Sequence, residues 1–328
     1  MRKLFIIMFL VSFLMGGCQS PEIQSSQTPQ KESIKISFHQ SYEHQGITFE
    51  LIDMLVDKEI YPANTNSKYD YVHFDENTDY EMLDIVMCLT NKSYKSLQAN
   101  SDFRVKLKTK NDVIKMECYI ESKEFTSLQK DAAIDKDETV LLHMNATIDS
   151  QQREENLRLS FYIEDQEYVV DFIYKDYQNQ KQIIELNQVL DMNNELSMKF
   201  DDLGILNKVL PDDTSGEYFY FELEDKKNLF LYGSCDFENK SHHDMKLADL
   251  PALRIRGQNI HLFHIAKQTK DKRDFVEDEN TVIQQGEKCR IFYYIELPKD
   301  IFFNDIYKNK QKIEMSYKID RYLLKIPE

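Results

Sequence analysis

The sequence predicts an all-β protein, two tandem β-sandwich domains behind an export signal and a flexible tether, and three observations predict it. The first is a long internal repeat. Pro62, Tyr69, Tyr71 and an apolar run closing on Asn91-Lys92-Ser93 return as Pro211, Tyr218, Tyr220 and a run closing on Asn239-Lys240-Ser241, 149 residues later for the proline and tyrosines and 148 for the asparagine. A period of that length is a domain, not one turn of a solenoid. The second is strict alternation of apolar and polar residues in short segments, the period-2 signature of half-buried strands. The third concerns helices: no stretch holds a 3.6-residue apolar period between caps.

The elements follow in chain order. Arg2 and Lys3 precede an apolar run over residues 4–14, broken only by Ser12, and then Met15-Gly16-Gly17-Cys18. The run is shorter than the roughly 20 apolar residues that span a bilayer and suits a cleaved secretory signal, residues 1–17. An ordinary signal peptide followed by a chance cysteine is the alternative. Residues 18–33 are Ser-, Gln-, Pro-, Glu- and Lys-rich, with Ile23 the only aliphatic side chain. Such a composition forms no core and reads as a tether.

Alternation begins at Ile34, Ile36 and Phe38 and resumes at Ile47, Phe49 and Leu51 after a turn at Gly46. Tyr69 and Tyr71 alternate likewise. Residues 83–89 are more continuously apolar, as a central strand would be. Further strands are expected at 103–107, 113–120, 140–148, 157–163 and 168–172. That makes about nine short strands divided by polar turns, the pattern of a β-sandwich. The second half repeats the order: Leu196, Met198 and Phe200 match Ile47, Phe49 and Leu51. Near the end, Leu159, Phe161 and Ile163 are matched to Met315, Tyr317 and Ile319, and Tyr168, Val170 and Phe172 to Tyr322, Leu324 and Ile326. Short helical turns fit only at 126–134 and 247–253. The domains are thus expected at 34–174 and 183–328, joined by a polar linker, 175–182, with no long Pro or Gly stretch to loosen it.

Two resemblances add to this reading. Small residues running directly into Cys18 resemble the lipobox of bacterial lipoproteins, which implies a lipid on the Cys18 thiol and cleavage of the bond before it. The signal, lipobox, polar tether and strands carrying a Pro, a Tyr pair and an Asn-Lys-Ser turn together resemble a family of small lipoproteins of low-GC Gram-positive bacteria. That resemblance covers both halves. It implies tandem immunoglobulin-like domains of the telokin-like type and a place on the extracytoplasmic face of the cell membrane, and it carries no catalytic residue across.

Charge narrows the partners. A formal net charge of −16, more negative still without Arg2 and Lys3, repels nucleic acid and anionic lipid surfaces, so no nucleic acid partner is expected and the membrane is reached through the lipid. The glycines number eight, with two inside residues 1–17, too few for the glycine-bearing turns of a nucleotide-binding α/β fold. Beyond Cys18 stand Cys88, Cys118, Cys235 and Cys289. In an exported protein these pair naturally as Cys88–Cys118 and Cys235–Cys289, or remain free thiols acting as small hydrophobes.

Candidate chemistry is sparse. His242-His243-Asp244 offers zinc-type ligands, but adjacent side chains diverge and at most two reach one ion, so a solvated loop is expected and no metal or other cofactor is assigned. His261 and His264 sit three apart in an expected strand and face opposite sides. His143, among Leu141, Leu142 and Met144, reads as a buried imidazole with its hydrogen bonds met. The acidic groups Asp131, Asp135, Asp137 and Glu138, and Asp212, Asp213 and Glu217, lack the spacing of a calcium loop and read as turn chemistry. Tyr218 and Tyr220, or Tyr293 and Tyr294, could form an aromatic platform for a glycan, against the plainer alternative of core tyrosines with edge hydroxyls. No nucleophile elbow, H-E-x-x-H, P-loop or Cys-x-x-Cys is present. The expectation is a non-catalytic surface lipoprotein that recognises or scaffolds an envelope protein, with a solute, glycan or metal-ion binding protein as the alternative and an envelope hydrolase third.

Overall fold

The computed structural model describes residues 32–73, 80–178, 183–256 and 259–326. The export signal, Cys18 and the tether up to residue 31 lie outside the described residues, as does 179–182 of the expected linker. The chain is all-β, and residues 33–328 form one compact unit. Among the described residues no helix is long and apolar enough to cross a membrane.

Fourteen strands carry the architecture. In the first half they are β1 (Ile47–Asp57), β2 (Tyr80–Asn91), β3 (Lys106–Lys108), β4 (Glu117–Glu121), β5 (Glu138–Asp149), β6 (Leu157–Ile163) and β7 (Gln166–Phe172). In the second they are β8 (Leu196–Leu206), β9 (Asn228–Asn239), β10 (Ala252–Arg256), β11 (His264–Gln268), β12 (Lys288–Pro298), β13 (Lys312–Tyr317) and β14 (Asp320–Lys325). One first-half sheet runs 42–44, β1, β2, β5, β4, 128–129, and the other 34–35, β7, β6, β3, 113–115. The second half repeats both orders, as 190–192, β8, β9, β12, β11, 275–276 and as 183–184, β14, β13, β10, 260–262. Each pair of sheets closes on its own core. Phe49, Leu51, Met87 and Phe161 lie in the first, and Met198, Phe200, Tyr293 and Met315 in the second. Alternation places them there, because every second side chain of each inner face points at the opposite sheet.

The Asn-Lys-Ser landmark has a physical cause. The fully buried Asn91 amide donates to the carbonyls of Lys95 and Ile134 (2.9 and 3.0 Å), and its Oδ1 accepts from the Ser93 backbone N–H and hydroxyl. Asn239 donates in the same way to His243 and Ile283 and accepts from Ser241. One side chain thus satisfies the backbone where the chain leaves the sheet. That requirement, rather than surface chemistry, fixes the motif.

Several expectations are corrected. The stretch 113–120 is not one strand: 113–115 belongs to one sheet and β4 to the other, with buried Met116 as the pivot. Residues 260–268 break in the same manner at Phe263, so His261 and His264 lie in different sheets instead of on two faces of one strand. Strand β3 starts at Lys106, after a helical turn over Ala99–Asp102 that displaces the expected strand at 103–107. The possible helix over 126–134 is instead two short strands, Leu128–Gln129 and Ala133–Ile134. Tyr69, Tyr71, Tyr218 and Tyr220 stand in loops, not strands. The match of Leu159, Phe161 and Ile163 moves by two, to Ile313, Met315 and Tyr317. The ladders pair Leu159 with Val170 and Ile313 with Leu324, and the positive φ of Glu164 recurs at Lys318 in the turn that follows. The head of the expected linker is a short helix, Tyr174–Gln178, with Tyr177 buried.

Among the described residues Cys88, Cys118, Cys235 and Cys289 are all free. Cys118 faces the inter-sheet core, whereas Cys88 points to the opposite side of its sheet, so no bridge can join them. Cys235 and Cys289 share a face, but Cys289 lies opposite Phe237 and Cys235 opposite Ile291, a diagonal offset of two positions. Burial pushes the thiols of Cys118 and Cys289 up to about 12 and makes them poor nucleophiles.

Candidate functional site

The outer face of the β4-β5-β2-β1 sheet carries a charged cluster that the sequence did not disclose. Asp84 on β2, His143 on β5 and Glu121 on β4 are 1, 2 and 3 % exposed. The ladder sets Val86 opposite His143 and Asp84 opposite Asn145, so all point the same way. His143 donates from Nδ1 to Asp84 (2.8 Å) and from Nε2 to Glu121 (3.4 Å). Burial alone would lower its pKa, but the charges and hydrogen bonds of Asp84 and Glu121 outweigh that and raise it to about 10. It is an imidazolium at neutral pH. His143 is therefore a buried imidazole with its hydrogen bonds met, and in addition a charged one.

The cluster works as an anchor. The second oxygen of Glu121 accepts the backbone N–H of Ala63, in a loop spanning residues 61–71. That loop lies against the second sandwich. The Ser316 hydroxyl donates to the Ala63 carbonyl (2.6 Å), Arg254 donates to the Pro62 carbonyl (3.4 Å), and the amides of Asn64 and Asn66 donate to the carbonyls of Ala248 and Leu250 (3.0 and 2.7 Å). Arg254 is itself paired with Glu314 at 3.3 Å. On the other flank of the junction the Tyr177 hydroxyl donates to the Ile52 carbonyl, and Arg321 faces Asp53 at 3.9 Å. A cleft of about 390 Å³ opens there, lined by His39, Glu50, Asp53, Cys88, Tyr177 and Arg321. Burial, and then the Asp53 charge, raise the Tyr177 hydroxyl.

The second sandwich solves the same face with apolar residues. Tyr232, Phe292, Tyr294 and Gln268 occupy the ladder positions of Asp84, His143, Asn145 and Glu121. The first three pack with Phe230, Val209 and Ala266 under the hairpin that carries Phe221, whose ring stacks on Tyr294 at 4.3 Å. This overturns the Tyr293–Tyr294 platform. Tyr293 lies in the inter-sheet core with its hydroxyl on the Pro251 carbonyl, Tyr294 is covered on the outer face, and a central strand with both faces covered exposes neither. Asn145 is 6 % exposed, and neither its amide nitrogen nor its amide oxygen has a protein partner. Replacing Asn145 by leucine, nearly its shape, is expected to raise stability by about 1 kcal/mol or more, read as a higher thermal midpoint.

The counterpart of the docked loop is less covered. Residues 210–220 follow the same course as 61–71: Asp213 and Phe219 donate to the carbonyls of Lys272 and Arg273, as Asn64 and Asp70 donate to Phe125 and Thr126. Yet Asp212 is exposed where Ala63 is 1 % exposed, and Leu210 and Phe219 are 44 and 70 % exposed; the last tyrosine is open in both halves, Tyr71 at 46 % and Tyr220 at 38 %. Tyr218 and Tyr220 lie 5.9 Å apart on this loop, with Lys208 over the Tyr220 ring. Asp213 accepts from the Ser215 N–H and hydroxyl and pairs with Arg273 at 2.9 Å, which is turn chemistry. His242, His243 and Asp244 are all exposed, and Asp244 accepts the Gln285 N–H. Among the described residues no group of three or more His, Cys, Asp or Glu side chains is arranged to hold a metal ion.

No protein-family model matches the chain, and no curated protein matches it. Solved structures do. An uncharacterised β-sandwich protein of Clostridium difficile aligns at 10 % identity and a TM-score of 0.40, over 45 % of this chain and 95 % of its own. The yjhA protein of Bacillus subtilis aligns at 12 % and 0.27, over 41 % of this chain and 97 % of its own. A candidate lipoprotein of Bacillus subtilis aligns at 12 % and 0.26, over 43 % of this chain and 42 % of its own.

Proposed function

We propose that this protein is a lipid-anchored, non-catalytic component of a bacterial envelope, held at the membrane by Cys18 and recognising a protein partner through the loop at residues 210–220. One observation carries the reading: the middle of the loop, residues 62–67, is covered by the neighbouring sandwich in the first half, whereas its counterpart leaves Asp212 and residues 214–216 in solvent between the exposed Leu210 and Phe219. Rigid aromatic side chains in an exposed loop on a stiff scaffold are the usual anchors of protein recognition. Two buried titratable groups are committed to structural bonds, His143 to Asp84 and Glu121 and Tyr177 to Ile52 and Asp53, which fits a scaffold better than an enzyme. Two measurements in intact cells test it. Cys18→Ser moves the chain from the membrane fraction to the medium; retention on the membrane defeats the anchor. A photo-cross-linking residue at position 219 captures a protein, whereas one at Tyr94, 99 % exposed on the other half, does not. Equal capture at both positions, or none at 219, defeats the recognition loop.

A further inference from the structure

Resting on that reading of the 210–220 loop, we propose that its partner is a second copy of this chain: the loop of one molecule docks on the outer face of the 113–115, β3, β6, β7 sheet of the next, joining molecules head to tail. The chain already contains this kind of contact once. Inside each molecule, loop 61–71 sits on the β10–β13 face of the following sandwich through Arg254 and Ser316, which the ladder pairs with Glu314 and Ala252; Ala252, Arg254 and Ser316 are 2–3 % exposed. The ladders place Lys106 and Ser160 of the first sandwich at the positions of Arg254 and Glu314, and two residues away on each segment Arg104 and Tyr162 correspond to Ala252 and Ser316. There the two cations are exposed, and none of the described residues covers them.

The two uncovered surfaces differ from the covered ones in opposite electrical senses. On the loop, Ala63, Asn64 and Lys68 become Asp212, Asp213 and Glu217, which adds negative charge, and Asp70 becomes Phe219, which removes one, so the balance moves toward acid. On the face, the Arg254–Glu314 pair and Ala252 become Lys106, Ser160 and Arg104, which removes the anion of that pair and adds a cation. Lys108 and Arg158 extend the basic strip, with Asp171 paired to Arg158 at 2.6 Å and Glu167 opposite Tyr162 as its counterweights, while on the loop Arg273 offsets Asp213 and Arg290 lies 4.0 Å from Asp212. An acidic aromatic loop therefore meets a basic face on which Arg104 lies over the Tyr162 ring at 4.4 Å. Such complementarity steers and selects encounters. In a net acidic protein, this basic strip is a place where another copy is attracted rather than repelled. The amide and hydroxyl bonds of the internal junction are exchanged for charge pairs and aromatic contact. A loop on one half and its receptor on the other make a heterologous contact, which grows into open chains unless its rotation closes a ring.

Sedimentation velocity of the full chain carrying Cys18→Ser, which keeps the lipid from driving association, tests this. The parent is expected to associate progressively with concentration at low salt, and less in about 0.5 M NaCl, where the Debye length falls to a few ångströms. Asp212→Lys/Glu217→Lys and Lys106→Glu/Lys108→Glu, all at exposed positions, each weaken self-association by about tenfold or more, roughly 1.4 kcal/mol. Their equimolar mixture associates again, because each unreversed loop meets an unreversed face and each reversed loop meets a reversed one. A chain carrying both reversals associates again. A parent that stays monomeric at every concentration, or a mixture that stays monomeric while the parent associates, overturns the inference. If the residue-219 cross-link captures a different protein and not this chain, self-docking falls while the recognition loop stands.

Discussion

Replacing His143 by leucine is expected to lower the stability of the fold by about 3–5 kcal/mol, the cost of leaving buried charges without their counter-ion. Asp84 and Glu121 are 1 and 3 % exposed and share this imidazolium between them. The loss is recovered by removing the other charges too. The variant Asp84→Leu/Glu121→Gln/His143→Phe follows the second sandwich, where Tyr232, Gln268 and Phe292 hold these positions, and the amide oxygen introduced by Glu121→Gln keeps an acceptor for the Ala63 N–H. Urea unfolding of the two variants and the parent measures both effects. A His143→Leu loss under about 1 kcal/mol would show that the cluster is not held charged. The pH dependence has a definite sign. The folded pKa of His143 is raised above its ordinary 6.5 to about 10, so its contribution is complete below about pH 6.5 and is lost as pH rises toward 10. The parent therefore loses stability relative to the triple variant across that window, and a difference that stays flat or grows with pH contradicts the assignment.

That cluster also marks where the sequence stops being legible. Its members were visible only as irregularities: Asp84 interrupts an apolar run, and His143 sits among Leu141, Leu142 and Met144. Joining them needs the ladder register, and seeing them as buried needs the knowledge that the outer face is covered, which depends on loop 61–71 and the second sandwich. The inner faces needed neither. Strand β6 falls on 157–163 as alternation predicts, and the Asn91 and Asn239 landmarks stand at one structural position in each half. The errors share a cause. Segments 113–121 and 260–268 each keep an unbroken apolar pattern while passing from one sheet to the other, because the pivots Met116 and Phe263 are themselves buried. Alternation reports which side chains are inside and not which sheet they belong to. The Tyr293–Tyr294 pair failed for a related reason: period-2 reasoning exposes one of two neighbours, whereas a strand covered on both faces hides both.

Asn91→Leu and Asn239→Leu are each expected to cost about 2–5 kcal/mol, since each strands one buried carbonyl and the N–H of a buried serine, at about 1–3 kcal/mol per unsatisfied group, and removes a donor from a second, part-buried carbonyl. The carbonyls are those of Lys95 and Ile134 in the first case and His243 and Ile283 in the second, with Ser93 and Ser241 as the serines. Aspartate is no rescue, because it offers acceptors where two donors are needed. The pair of variants also reports on the junction. The Asp84–His143–Glu121 anchor, the Ala63 backbone and Ser316 form one unbroken series of hydrogen bonds from the first sandwich into the second. If that series couples the halves, either asparagine variant shifts a single calorimetric transition of the whole body, and Ser316→Ala together with Asn66→Ala splits it in two. Two separate transitions in the parent, each moved by only its own asparagine variant, would mean that the halves unfold independently and that the junction merely brings them into contact.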